Sequence, residues 1–154
     1  DEISPWRFEA PLSPDMAANI EKKEINFNEL LHFCNAHIKS KDDDILIIEG
    51  VGGTMVPINN KYTILDLMKS LNIPIILTIG TYLGTISHTL NAYEVLIKND
   101  INVNSIVLNQ SNENEVDMEL TQNSLLNYIK NIPIHTIKRN HENNNVLDNI
   151  IKNL

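Results

Sequence analysis

PIILTIGTYLGTISHTL, residues 74 to 90, sets the architecture of the chain. Pro74–Ile79 is short, rich in Ile and Leu and free of strict alternation, the pattern of a parallel strand covered on both faces. The segment Gly80–Thr89 then reads as a strand-to-helix turn with a hydroxyl-rich helix start. Ile86, Leu90, Tyr93 and Ile97 carry that helix to Lys98 at matching intervals. Similar apolar runs predict further strands at Ile45–Glu49 and Ser105–Leu108, with a weaker one at Ile134–Ile137 after Pro133. Between them lie helical patterns. Phe27, Leu30, Leu31, Cys34 and Ile38 share one helix face, as do Ile64, Leu67, Met68 and Leu71 within Tyr62–Leu71. Met118–Lys130 and Val146–Ile151 supply two more helices, and a rigid Pro11-Leu12-Ser13-Pro14 entry precedes one beginning near Asp15. Strand and helix alternate, which predicts an α/β fold: an open, mostly parallel sheet with helices on both faces. Ligands of such sheets collect beyond the carboxyl ends of the strands.

The 154 residues suffice for one domain, expected over residues 1–154. Hydrophobic residues make up 42% and charged ones 21%, an ordinary balance for a soluble globular protein. A formal charge of −8 argues against a broad nucleic-acid surface, though not against a local phosphate pocket. No apolar run approaches the roughly 18 residues of a membrane span, and no signal-peptide pattern opens the chain. A cytoplasmic protein without membrane partners is the expectation. The single cysteine, Cys34, excludes an internal disulfide and a cysteine-rich zinc site, and its helix position reads as a small buried thiol. The chain opens Asp-Glu-Ile rather than with Met, so it reads as a fragment or processed piece.

Three places carry candidate chemistry. Ile48-Glu49-Gly50-Val51-Gly52-Gly53 ends a predicted strand in a carboxylate and glycines. A strand-end carboxylate can hold Mg2+, which takes a few hard oxygens plus substrate phosphates, and glycines let backbone approach a ligand. A tight turn with a solvent-facing glutamate explains the same residues. At Leu83-Gly84-Thr85-Ile86-Ser87-His88, free amides and the helix dipole favour an anion; capping by Thr85 or Ser87 is the other reading, and the two are compatible. His88 is a packing or hydrogen-bonding residue or a base. Asn109-Gln110 closes a strand, where a side-chain amide can read a purine edge or cap a turn. The other histidines, His32, His37, His135 and His141, show no metal-ligand spacing.

Taken in order, these pieces resemble dethiobiotin synthetase. Trp6-Arg7-Phe8-Glu9-Ala10-Pro11-Leu12-Ser13-Pro14, followed by Ala17-Ala18, is similar to that family's aromatic-Arg-Phe…Pro-x-Ser-Pro-His…Ala-Ala segment. Glu49–Gly53 resembles its Glu-Gly-Ala-Gly-Gly, and Leu83–Leu90 its Leu-Gly-Thr-Ile-Asn-His-Thr-Leu. Val107-Leu108-Asn109 lies where the family has an adenine-reading asparagine. The resemblance implies a P-loop NTPase-like fold and a homodimeric ligase of biotin biosynthesis. Its substrates would be 7,8-diaminononanoate, CO2 or bicarbonate, and ATP with Mg2+. Glu49 would be the metal ligand. Glu49, Gly50, Gly52, Gly53 and Asn109 would contact ATP. Val51 and the helix start at Leu83, Gly84, Thr85, Ile86 and Ser87 would hold the substrate, reached across the dimer interface.

Departures accompany the match. Asp15 and Ser87 stand where the family has His and Asn, and Ile134–Glu142 has no counterpart of its Gly-x-Ile-Pro-Trp region. No Gly-x-x-x-x-x-Gly-Lys-[Thr/Ser] P-loop occurs, so no catalytic residue is assigned within these residues. The chain thus reads as the C-terminal two-thirds of such an enzyme, its P-loop unit lying outside. Without that unit, Ile45–Glu49 would lack a neighbour and leave apolar surface exposed. The alternative is a truncated, non-catalytic binding or dimerisation module of the same fold.

Overall fold

The computed structural model describes residues 3–40, 45–112, 116–140 and 144–152. They fall into two compact units, Asp1–Asn72 and Ile73–Leu154.

The first unit holds three helices: α1 (Pro14–Ile20), α2 (Phe27–Lys39) and α3 (Ile64–Leu71). Each starts where its sequence provides for one. Pro14 occupies the first turn of α1, where its missing N–H costs nothing. Asn26 caps α2 by accepting from the amides of Asn28 (2.9 Å) and Glu29 (3.3 Å). Thr63 and Asp66 form a reciprocal capping box on α3, and Asn72 ends that helix in a left-handed conformation (φ 50°). Ala18, Ile25, Phe27, Ile58, Ile64 and Leu67 form the core, with Phe27 stacked on Tyr62 at 4.1 Å between ring centroids. Complete burial of a leucine or isoleucine there is worth about 1.5–3 kcal/mol.

Ile45–Glu49, expected as a strand, is not one. Among the described residues nothing pairs with it, and Ile45, Leu46 and Ile47 are 48%, 40% and 83% exposed. The cause is the missing partner: β-propensity reports fit to a half-buried pleated surface, not an intrinsic backbone preference.

The second unit alternates β1 (Ile75–Gly80), α4 (Thr85–Lys98), β2 (Val103–Asn109), α5 (Met118–Leu126), β3 (Ile134–Ile137) and α6 (Asn144–Lys152). The three strands are parallel in the order β1-β2-β3, which bears out the α/β class and the open parallel sheet. Ile106, Leu108, Leu125, Ile129 and Ile134 form its core. Ile86, Leu90 and Tyr93 of α4 and Met118 of α5 pack against that core together with Leu77 and Ile79 of β1. On the other face of β1, Ile76 and Thr78 are exposed. Helix α5 is shorter than its apolar pattern predicts. It stops at Leu126, and the amides of Tyr128 and Ile129 both close on the Leu125 carbonyl, at 3.0 and 2.9 Å. Asn127, a weak helix former, sits at that end, while Ile129 still reaches the core. No helix among the described residues is long and apolar enough to cross a membrane.

Candidate functional site

In the first unit, two of the predicted pieces line one groove of about 1020 Å³. Trp6, Phe8, Leu12 and Pro14 contribute to it, and so do Glu49, Gly50, Val51 and Gly52. The Trp6–Ala10 stretch is irregular and is fixed from outside. The Glu21 carboxylate accepts from the amides of Glu9 (2.7 Å) and Ala10 (3.2 Å). Lys23 donates to Glu21 (2.7 Å) and to the Arg7 carbonyl (3.1 Å). The Lys23 hydrogen bond holds the Glu21 carboxyl below its ordinary range, aided by the two amides. Sequence reasoning missed this clasp, since nothing local links Glu21 to residues 11 or 12 positions earlier. Cys34 also lines the groove; it is buried, and burial pushes its thiol pKa up, as for an inert structural cysteine.

The turn after Glu49 separates its glycines by role. Gly52 has φ +76°, and a Cβ there would lie 2.7 Å from Val56 Cγ2, so the turn itself requires glycine. The Val56 amide donates to the Gly53 carbonyl at 3.0 Å, and the Ile64 amide donates to the Val56 carbonyl at 2.9 Å, tying the turn to the start of α3. At Gly53 a Cβ would meet nothing within 4 Å. Packing therefore leaves Gly53 unexplained. Glu49 is exposed, and among the described residues no donor engages its carboxylate. No cluster of three or more His, Cys, Asp or Glu that could hold a metal occurs among the described residues. A lone carboxylate suits Mg2+, which keeps several waters and takes further oxygens from phosphates, better than it suits Zn2+.

In the second unit, the other two pieces meet at the carboxyl ends of the strands. Gly80 of β1 and Asn109 of β2 are register partners, and Ile137 of β3 lies opposite Asn109. After Gly80 the chain turns through Thr81–Gly84 into α4, with Gly84 as the N-cap residue at φ 94°. Side-chain capping, the alternative for this turn, is not what forms. The Thr85 hydroxyl donates backward to the Gly80 carbonyl (2.6 Å), and no side chain caps the helix. The Thr89 hydroxyl likewise turns inward, to the Thr85 carbonyl at 2.7 Å. The amides of Ile86 and Ser87 consequently have no acceptor among the described residues. Leu83, at 80% exposure, and Ser87 stand open beside them. His88 is engaged with Tyr82, its Nδ1 lying 3.0 Å from the phenol oxygen.

The residues closing β2 differ sharply in use. The Asn109 side chain is exposed and has no partner among the described residues. The Gln110 carboxamide oxygen, by contrast, accepts from the Arg139 amide (3.1 Å). Ser111 exchanges two bonds with Thr81, a residue the sequence reading did not single out: the Thr81 amide donates to Ser111 Oγ (2.9 Å) and the Ser111 amide to Thr81 Oγ1 (3.0 Å).

Comparison of the sequence with known proteins places the chain among relatives. A family model described as an AAA domain covers residues 1–142. The ATP-dependent dethiobiotin synthetase BioD of Acidiphilium cryptum is 43% identical over 131 residues, 85% of this chain and 58% of the relative. That of Phenylobacterium zucineum is 41% identical over 141 residues, 91% of this chain and 60% of the relative. The Legionella pneumophila (strain Paris) protein of the same name is 37% identical over 123 residues, 80% of this chain and 58% of the relative. The chain thus spans 58% and 60% of the length of the first two curated relatives. With an AAA-domain match through residue 142 and this level of identity, the chain belongs to the dethiobiotin synthetase family.

Proposed function

We propose that the protein carrying this chain is a cytoplasmic, homodimeric ATP-dependent cyclo-ligase that makes dethiobiotin in biotin biosynthesis. One amine of 7,8-diaminononanoate adds to CO2 and loses a proton, giving a carbamate. A carbamate oxygen attacks the γ-phosphorus of ATP, expelling ADP and forming a carbamic-phosphoric anhydride. The second amine attacks the carbonyl carbon, phosphate leaves, and the ureido ring closes.

The observation that supports this reading is which groups the fold leaves unengaged among the described residues: the Glu49 carboxylate, the Ile86 and Ser87 amides and the Asn109 carboxamide. They answer, in turn, to a metal-bound triphosphate, a substrate carboxylate and an adenine edge. Glu49 would hold Mg2+, whose chemistry is neutralisation of phosphate charge. The open side of Gly53 leaves room for a ligand to approach the Gly50–Gly53 backbone. The amides at the start of α4 orient the diamine through its carboxylate, and Leu83 offers an apolar contact beside it. Asn109 selects the base. A P-loop is not among these 154 residues, so the assay takes the complete protein.

Supplied with 7,8-diaminononanoate, bicarbonate and Mg·ATP, that protein should release one ADP and one phosphate per dethiobiotin. Glu49→Gln should lower turnover on the order of a hundredfold without moving the melting temperature. A folded complete protein with no turnover would sink the proposal.

A further inference from the structure

Residues 109 to 111 form a crossbar over the ends of all three strands. On one side, the Gln110 amide donates to the Ile137 carbonyl of β3 (2.9 Å), and its side chain accepts from Arg139. On the other, Ser111 and Thr81 exchange their two bonds beside the end of β1. Thr81 is fully buried and Ser111 half-buried, so these bonds lie partly out of reach of bulk water. Ser111 Oγ sits so close to β1 that a Cβ on Gly80 would come within 2.6 Å of it. Of the three side chains, Asn109 alone lacks a partner among the described residues, and the two residues that follow it are both fastened.

We infer that Ser111 and Thr81 are positioning residues for nucleotide selection: they hold the backbone that carries the Asn109 carboxamide at the place where it reads adenine. A strand end that could swing would carry the carboxamide out of register with the base edge. Held in place, it matches the adjacent donor and acceptor of adenine and mismatches the two acceptors of guanine. The inference rests on the proposed adenine contact of Asn109 and adds what makes that contact selective.

The test measures Mg·ATP and Mg·GTP binding to the complete protein by calorimetry. Ser111→Ala should reduce the preference for ATP about three- to tenfold, through weaker ATP binding with GTP binding unchanged. Asn109→Ala should abolish the preference, and the double variant should be no worse than Asn109→Ala. Thr81→Val, which removes the opposite acceptor, should act like Ser111→Ala and decides the matter if that variant does not fold. Thr81→Ser, which keeps the hydroxyl, should retain the preference. If Asn109→Ala erases the preference while Ser111→Ala and Thr81→Val leave it intact, the positioning role is overturned and the adenine reading stands. If Asn109→Ala itself leaves the preference intact, the adenine reading fails and takes the positioning role with it.

Discussion

Ile45-Leu46-Ile47-Ile48 and Ile75-Ile76-Leu77-Thr78 are near-twins in composition, yet only the second becomes a strand. Ile75–Gly80 finds a parallel neighbour in Val103–Asn109 and ladders along its whole length. Ile45–Glu49 has no such neighbour among the described residues and leaves Ile45 and Ile47 exposed. Apolar, β-branched sequence specifies readiness to pair, and the ladder supplies the rest. The consequence extends to function, because the two candidate turns are supported in different ways. The turn after β1 is held by strands, buried threonines and Ser111. The turn after Glu49 is held by Gly52, by Val56 and by the cap of α3.

Substitutions separate these two kinds of support. The largest effect should come from Leu108→Ala, since Leu108 lies wholly inside the ladder's core. A loss of about 2–5 kcal/mol in urea unfolding is expected; a loss below about 1 kcal/mol would mean that the strand ends are not anchored as described. Next, Gly52→Ala should cost about 1–3 kcal/mol, because it places a methyl group against Val56 in left-handed backbone. Gly53→Ala should be nearly silent in stability, and comparable melting of the two variants would refute the division of roles between these glycines.

A smaller effect should appear in acid. The Thr63 amide and hydroxyl both donate to the Asp66 carboxylate at 2.8 Å, and the amide is the leading cause holding its pKa down. With the folded-state pKa depressed, the contribution is complete above the unfolded value of about 3.9 and is lost as pH falls through the folded value. The stability gap between Asp66→Asn and the parent should therefore narrow below about pH 4. A gap that stays constant to pH 2.5, on the order of a unit and a half lower, would remove the carboxylate's role in the cap. The smallest effect should belong to Ile47→Ala, within about 0.5 kcal/mol, as for other exposed positions. A loss approaching that of Leu108→Ala would erase the contrast between the two runs.

What could be read from the chain follows the range of the interactions. Among the described residues, α2 to α6 announce themselves through apolar spacing and α1 through its Pro11 and Pro14 entry, all local signals. Even the weak strand Ile134–Ile137 forms over its predicted residues. The turn after Gly80 and the position of Asn109 are legible because a strand end followed by small or polar residues is a local pattern too. The clasp of Glu21 on Glu9 and Ala10 was not visible. Neither was the bond pair between Ser111 and Thr81, whose members lie 30 residues apart with no motif joining them. Ile45–Glu49 failed for the complementary reason: its local signal was strong and its outcome depended on a partner.

The close seat of Ser111 on Gly80 constrains how this protein can drift over generations. A side chain gained at position 80 must displace the hydroxyl at 111, so the first site can change only where the second has given way. Sequences descended from this one should keep a bare backbone at position 80 for as long as a hydroxyl stands at 111.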